Sequence, residues 1–273
     1  MEARKKRIGI FLLIFFMYSG AYAQDVYYVT FIKGDVKKKA NAVKVKVGDK
    51  LLPQETVVFS TKESKLILLH PQKGRFVIDA ANLTQQASGE FISYIKDNML
   101  PDLKKVKLSS RGEQNLQSYF TVDDEVNEKM LFIGDTRIDF DSTMYRITNP
   151  KDDYFFLQYT NVKGKTIINK LQVNKSKLSI KGTDLRFDGA ALPAGEEVFV
   201  GFMENYSTTK SQAEIGYFKP VHMSLADCKK IMQAVKKALG KNKKLVVEET
   251  YSQLYKNYGK PDMEVLSAIY DKL

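Results

Sequence analysis

The chain has few of the residues on which reactive sites most often depend. It contains one cysteine, Cys228, two histidines, His70 and His222, and no tryptophan in 273 residues. A single cysteine leaves no intramolecular disulfide to form, so stability must come from a buried core. Two separated histidines and one cysteine do not supply the three or four ligands of a standard zinc site. We therefore expect neither a metal nor a cofactor.

Long apolar runs are absent after the first residues. Four basic residues at 4–7 precede an uncharged apolar stretch from Ile8 to Met17, and the small residues Ala21 and Ala23 follow. This order is typical of a secretory signal peptide with an A-x-A cleavage motif. The apolar stretch is shorter than the roughly 20 residues that span a bilayer. The sequence predicts a cleaved signal peptide over 1–23, no later transmembrane segment, and a mature protein in the periplasm or outside the cell.

Acidic residues are fewer than basic ones. The chain has 43 Lys and Arg against 32 Asp and Glu, a net charge of +11. Such a surface favours acidic partners such as lipid headgroups or polyanionic glycans, and it also promotes solubility.

The densest basic group is a set of five lysines that we call the lysine cluster. Its members are the candidate binding residues Lys37, Lys38, Lys39, Lys44 and Lys46. A hairpin over residues 36–47 would place them on one exposed face, where they would either contact an acidic partner or protect an edge strand from pairing. Aromatic residues do not interleave with these lysines, so we expect no binding to nucleic acid.

Residues 24–80 are predicted to form a small β-domain. Valines at 43, 45 and 47 alternate with lysines, and short apolar runs at 57–59 and 66–69 flank turn signals. Alternation of this kind is typical of half-buried strands, and residues 70–74 are typical of a hairpin connection.

The order of motifs in this segment resembles the FecR-like domain of bacterial envelope proteins. The matching motifs are G-x-V at 34–36, V-G-D-x-L at 47–51 and S-x-L-x-L at 64–68. The resemblance implies a small β-fold that binds envelope partners. In that family the domain relays a signal from an outer-membrane receptor through a membrane anchor, and the sequence shows no such anchor. Only the fold and the binding role are therefore expected here.

The rest of the chain is predicted to be a connector, a second β-domain and a helical end. The connector spans 81–129 and includes a short helix from 88 to 99. Residues 130–222 predict an antiparallel β-sandwich, with a barrel as the alternative. Its expected strands cover 136–140, 144–148, 154–160, 166–173, 177–181, 185–188, 197–203 and 214–218.

Residues 223–273 predict a helical C-terminal element. Ser224 and Asp227 form a capping pair for a first helix that ends at Gly240. A second helix is expected over 248–258, and a third is expected after Pro261.

The candidates for chemistry are few. A nucleophilic site would need Cys228 or a serine beside a histidine. Cys228 lies on the apolar stripe of the first predicted C-terminal helix, where a thiol packs as a small hydrophobe. His70 is expected to serve in its hairpin turn. Carboxylates at 135–141 and at 152–153 are dense enough to suggest Ca²⁺, but we interpret the first group as a solvated strand face. We assign no catalytic or metal-binding residue.

These observations predict a mainly β, non-enzymatic, exported envelope protein that acts as a binding or interaction module. Two alternatives stay open. The first is a polyanion-binding protein that uses the lysine cluster for glycan or lipid headgroups. The second is a periplasmic hydrolase that pairs Cys228 with His222.

Overall fold

The computed structural model describes most of the chain beyond the predicted signal peptide, which lies outside the described residues. The described ranges are 25–85, 89–97, 99–101, 116–120, 129–161, 163–187, 190–191 and 196–273. The chain divides into two compact units, residues 1–102 and 103–273. No helix within the described ranges has both the length and the apolar character that a bilayer crossing requires.

The described part of the first unit forms two antiparallel sheets. Its strands are β1 (Tyr27–Lys33), β2 (Val36–Lys38), β3 (Lys50–Leu51), β4 (Thr56–Phe59), β5 (Lys65–His70), β6 (Gly74–Asp79), β7 (Phe91–Tyr94) and β8 (Leu100–Pro101). One sheet has the order β3-β1-β5-β6-β8 and the other has the order β2-β4-β7. Val29, Leu68 and Ile78 from the first sheet share one core with Val57 and Phe59 from the second. The two sheets therefore pack as layers around apolar faces.

The helix predicted over 88–99 is wrong. Phe91 to Tyr94 form β7, which pairs with β4 through Phe59↔Phe91 and Val57↔Ser93. Phe91 and Ser93 are buried, so burial in this segment has the period of two that a strand requires. The apolar residues at 91, 92, 95 and 99 also fit one face of a helix, and pairing with β4 decided between the two structures. Strands within 81–101 thus complete both sheets of the first unit.

The second unit contains the remaining strands. They are β9 (Lys129–Ile133), β10 (Thr136–Asp139), β11 (Tyr154–Thr160), β12 (Thr166–Lys170), β13 (Gln172–Asn174), β14 (Lys177–Ile180), β15 (Arg186–Phe187), β16 (Ala190–Ala191), β17 (Val198–Glu204) and β18 (Ser211–Met223). The larger sheet has the order β12-β11-β17-β18-β9, and the smaller has the order β10-β14-β13. Their pairings are antiparallel except for β18 with β9, which is parallel.

The core of the second unit lies against one face of the larger sheet. Leu157 of β11 and Val200 of β17 are fully buried there with Leu178 of the smaller sheet. The short helix α1 (Leu116–Phe120) adds Phe120 to the same core. This arrangement confirms the predicted mainly β, sandwich-like fold.

The strand predicted over 144–148 is wrong. Residues 142–144 form a turn and 145–148 are irregular, and the Asp141 carboxylate accepts hydrogen bonds from the Thr143 amide (2.8 Å) and hydroxyl (2.7 Å). An aspartate that bonds the backbone two residues later stabilises a turn in place of a strand. Tyr145 is one of the residues that suggested a strand. It directly follows the turn, and its side chain is buried in the core.

The chain ends in three helices, as predicted, namely α2 (Leu225–Leu239), α3 (Lys243–Asn257) and α4 (Met263–Tyr270). The Ser224 hydroxyl caps α2 by accepting the Asp227 amide at 3.1 Å, and Gly240 ends it, which confirms both predicted boundaries. The link between α3 and α4 pairs with β9: the Lys260 amide donates to the Lys129 carbonyl at 2.8 Å. The helical element is thereby hydrogen-bonded to the edge of the larger sheet.

Candidate functional site

The lysine cluster does not form a single free basic face. Lys37 and Lys44 lie opposite each other across the predicted hairpin, and both ammonium groups contact Asp35, at 3.2 and 2.8 Å. Hydrogen bonds from Lys44 and Lys37 lower the pKa of the Asp35 carboxyl. Lys38 contacts Glu55 at 2.7 Å instead. Three of the five lysines are therefore already paired with carboxylates.

The other two members of the cluster, Lys39 and Lys46, are exposed and have no ion-pair partner among the described residues. β2 lies at the edge of its sheet. This position also fits the alternative role of the lysines, which is to protect an edge strand from pairing with another chain. Asp35 and Glu55 were not part of the pattern from which the lysine cluster was predicted. That the five lysines bind an acidic partner stays a prediction.

The two residues of the possible hydrolase do not form a nucleophile–base pair. Cys228 is fully buried on α2, and burial raises the pKa of its thiol to about 12. His222 is exposed, and no hydrogen bond joins the two side chains. A thiol with this pKa stays protonated at neutral pH, and the thiolate is the nucleophilic form. Cys228 therefore packs as a hydrophobe, as expected.

His70 organises a turn, as predicted. Its Nδ1 accepts the backbone amides of Gln72 and Lys73, both at 3.1 Å. The ring proton consequently lies on Nε2, which donates to Asp25 at 3.2 Å. These contacts fix the hairpin between β5 and β6.

Four of the dense carboxylates, Asp139, Asp141, Asp152 and Asp153, have local partners. Asp139 contacts Lys177 at 3.0 Å, and Asp141 holds its turn. Among the residues that the structure describes, no three Asp, Glu, His or Cys side chains are grouped closely enough to hold a metal ion.

The outer face of the larger sheet in the second unit carries a feature that the sequence analysis did not identify. Side chains from β11, β17 and β18, with one from the loop after β17, form a continuous series of rings that we call the aromatic row. Its members, in spatial order, are Tyr206, Tyr154, Phe156, Phe199 and Tyr217. Consecutive ring centroids lie 6.1, 6.2, 5.8 and 5.1 Å apart. These spacings fall in the range of favourable aromatic contacts.

Strand register places these rings on one face. Phe199 of β17 pairs with Gln158 of β11 on one side and with Tyr217 of β18 on the other. Directly paired residues in antiparallel strands project to the same side of a sheet. Val198 and Val200, the neighbours of Phe199 along the strand, enter the core instead.

A glycine makes room for the centre of the row. Gly201 pairs with Phe156, and a Cβ at Gly201 would lie 2.5 Å from the Phe156 ring. The Phe156 ring therefore lies directly over the bare backbone of β17. Any larger residue at this position would displace the ring, so close backbone approach explains the glycine.

A buried carboxylate holds the loop that presents Tyr206. Asp153 accepts hydrogen bonds from the Thr148 hydroxyl (2.6 Å), from the Asn149 amide (2.9 Å) and from the Asn205 amide (3.1 Å). These bonds, with the Thr148 hydroxyl as the largest cause, hold the pKa of Asp153 far below its usual range. They tie the loop after β17 to the loop before β11, next to Tyr154.

An open depression of about 300 Å³ lies at the Tyr217 end of the row. It is lined by Gln158, Phe199, Gln212, Glu214 and Tyr217. Phe199 is nearly buried, whereas the Tyr217 side chain is 48% exposed. The polar side chains of the lining have no hydrogen-bond partner within the described chain. The depression thus combines an exposed ring with amide, carboxylate and hydroxyl groups that have no partner within the described chain.

Comparison of the chain with protein-family models, with curated proteins and with solved structures found no match.

Proposed function

We propose that this chain is a non-enzymatic, exported envelope protein that works as a binding module, and that it binds through the depression at the end of the aromatic row. The observation that carries the proposal is the depression itself. Tyr217 lies exposed beside Gln212 and Glu214, whose polar groups have no other partner in the described chain.

The chemistry of the lining supports binding in preference to catalysis. The ring of Tyr217 supplies a flat apolar contact, and each glutamine supplies a donor and an acceptor. Glu214 is a single carboxylate, and none of the other lining residues is a carboxylate, histidine or cysteine that would act with it as an acid–base pair or nucleophile.

The proposal is tested by retention of the purified protein on the envelope fraction of the cells that make it. Wild-type protein is mixed with washed envelope material and the sedimented fraction is measured over a range of concentrations. Because exposed aromatic rings often dominate binding energy, we expect Tyr217→Ala to weaken retention about tenfold.

The matched control is Tyr94→Ala in the first unit. Tyr94 is 52% exposed, close to the value for Tyr217, and lies on β7, outside the depression. It should leave retention unchanged. Equal retention of wild type and both variants would refute the depression as the binding site.

A further inference from the structure

The sheet face at the depression offers a ligand side chains only. The lining residues lie on β11, β17 and β18, and these three strands are interior to the sheet order β12-β11-β17-β18-β9. β11 and β17 have ladders on both sides, whereas β18 pairs with β17 over 211–218 and with β9 over 219–223. Backbone amides and carbonyls lie in the plane of the sheet and so do not face the depression. An extended peptide gains most of its affinity by adding to an unpaired strand edge. The site therefore favours a ligand that needs no backbone partner.

The charges around the depression favour a neutral ligand. Glu214 is the only charged side chain in the lining, so an anionic ligand would meet a carboxylate without a compensating cation. A cationic ligand would approach a chain in which basic residues outnumber acidic ones, also after removal of the predicted signal peptide. A neutral, polar ligand avoids both costs.

The geometry points to a neutral saccharide with adjacent free hydroxyl groups as the ligand of this depression, an inference that rests on the proposed function. A sugar ring has a C–H face that packs on an aromatic ring and an edge of hydroxyl groups that both donate and accept hydrogen bonds. Tyr217 provides the platform for the face. Gln158, Gln212 and Glu214 each present two polar atoms side by side, an arrangement that matches two neighbouring hydroxyls.

The size of the site agrees with this ligand. The volume of about 300 Å³ lies at the lower end of the range for small-molecule sites and is enough for one or two sugar rings. Tyr217 borders it from β18, and the nearly buried Phe199 of β17 also lines it.

The test uses the same retention assay after the envelope material has been treated in three ways. Periodate cleaves the carbon–carbon bond between adjacent hydroxyls, protease removes protein, and organic solvent extracts lipid; each sample is quenched and washed before the protein is added. We expect periodate alone to reduce wild-type retention about tenfold, to the level of Tyr217→Ala.

Two further variants separate stacking from hydrogen bonding. Tyr217→Phe keeps the ring and should retain binding within about threefold, whereas Gln212→Ala should weaken it about three- to tenfold. Gln54→Ala, which removes an exposed glutamine of the first unit, is the control and should have no effect. Circular dichroism of each variant verifies that the fold is intact.

The outcomes distinguish the two proposals. Retention that depends on Tyr217 but survives periodate and is lost after protease or lipid extraction would overturn the saccharide and leave the binding module in place. Absence of any Tyr217-dependent retention on untreated material would overturn both.

Discussion

At the scale of single residues, the structure uses buried polar groups to fix loops and buried apolar groups to fill cores. Asp153 and His70 belong to the first kind, and each bonds backbone amides that would otherwise lack partners. Cys228 belongs to the second kind. None of these roles requires reactivity, although all three residues are types that often carry it.

Replacing Asp153 with asparagine should destabilise the second unit. Both carboxylate oxygens of Asp153 accept hydrogen bonds, and asparagine would place an NH₂ group opposite at least one of these N–H or O–H donors. We therefore expect the free energy of unfolding to fall by about 2 kcal/mol. Urea denaturation at pH 7 measures the change. Asp139→Asn, which breaks an exposed ion pair with Lys177, should cost less than about 0.5 kcal/mol. Equal effects of the two substitutions would contradict the role given to Asp153.

The same carboxylate should make stability depend on pH. Its pKa is lower in the folded state than in the unfolded chain, so its contribution is fully present above the ordinary Asp pKa of about 3.9 and is lost as pH falls further. Denaturation curves of the wild type and Asp153→Asn should therefore converge as the solution is acidified below pH 4. A difference that stayed constant from pH 7 to pH 3 would show that the charge of Asp153 is not what stabilises the loops.

Cys228 should be unreactive until the protein unfolds. The thiol is buried and its pKa is raised to about 12, so little thiolate exists at pH 8 and the reagent has no access to it. A colourimetric disulfide reagent should label less than one tenth of the native protein in an hour. In concentrated urea it should label one thiol per chain at once. Fast labelling of the native protein would revive the hydrolase alternative.

At the scale of secondary-structure elements, pairing at sheet edges decided which segments join which unit. β7 completes the smaller sheet of the first unit, and the link between α3 and α4 hydrogen-bonds to β9. Gly259 permits that second contact, because its φ is +128° and a Cβ there would lie 2.6 Å from the Lys129 carbonyl oxygen.

Gly259→Ala should loosen the attachment of the C-terminal helices. The variant combines an unfavourable φ with a backbone clash, so we expect the free energy of unfolding to fall by roughly 3 kcal/mol. Gly164→Ala is the matched control: its φ is also positive, +74°, but a Cβ there meets nothing within 4 Å, and a loss of about 1 kcal/mol is expected. Hydrogen exchange should report lost protection of the Leu131 amide, which donates to Lys260, only in Gly259→Ala. Similar losses of unfolding free energy in both variants would contradict a backbone clash at residue 259.

At the scale of the whole molecule, export is the proposal on which the choice of partner depends. When the full chain is expressed in a Gram-negative host, we expect intact-mass analysis of the periplasmic fraction to show a protein that begins at Gln24. Ala23→Phe, which removes the last small residue of the cleavage motif, should leave the precursor uncleaved. Recovery of the wild-type chain from the cytosol with Met1 attached would overturn the envelope assignment.

The sequence by itself determined the elements whose pattern is local. Strand alternation, glycine and asparagine turns, and the Ser224 cap predicted a mainly β chain with helices at its end, and the structure confirms this fold class. These features could be read because each depends on residues close together in sequence, where propensity and hydrogen bonding act directly.

Only the tertiary structure decided which faces became a core and which became a site. Both faces of β11 are apolar. Phe155 and Leu157 point into the core, whereas Tyr154 and Phe156 lie on the outer face. The hydrophobicity pattern therefore does not tell which face of the strand is buried in the core. The pairing of Lys37, Lys38 and Lys44 with carboxylates likewise depends on strand register. Register joins residues that are distant in sequence, and the energy that selects it comes from packing of the completed sheets, which no single segment contains.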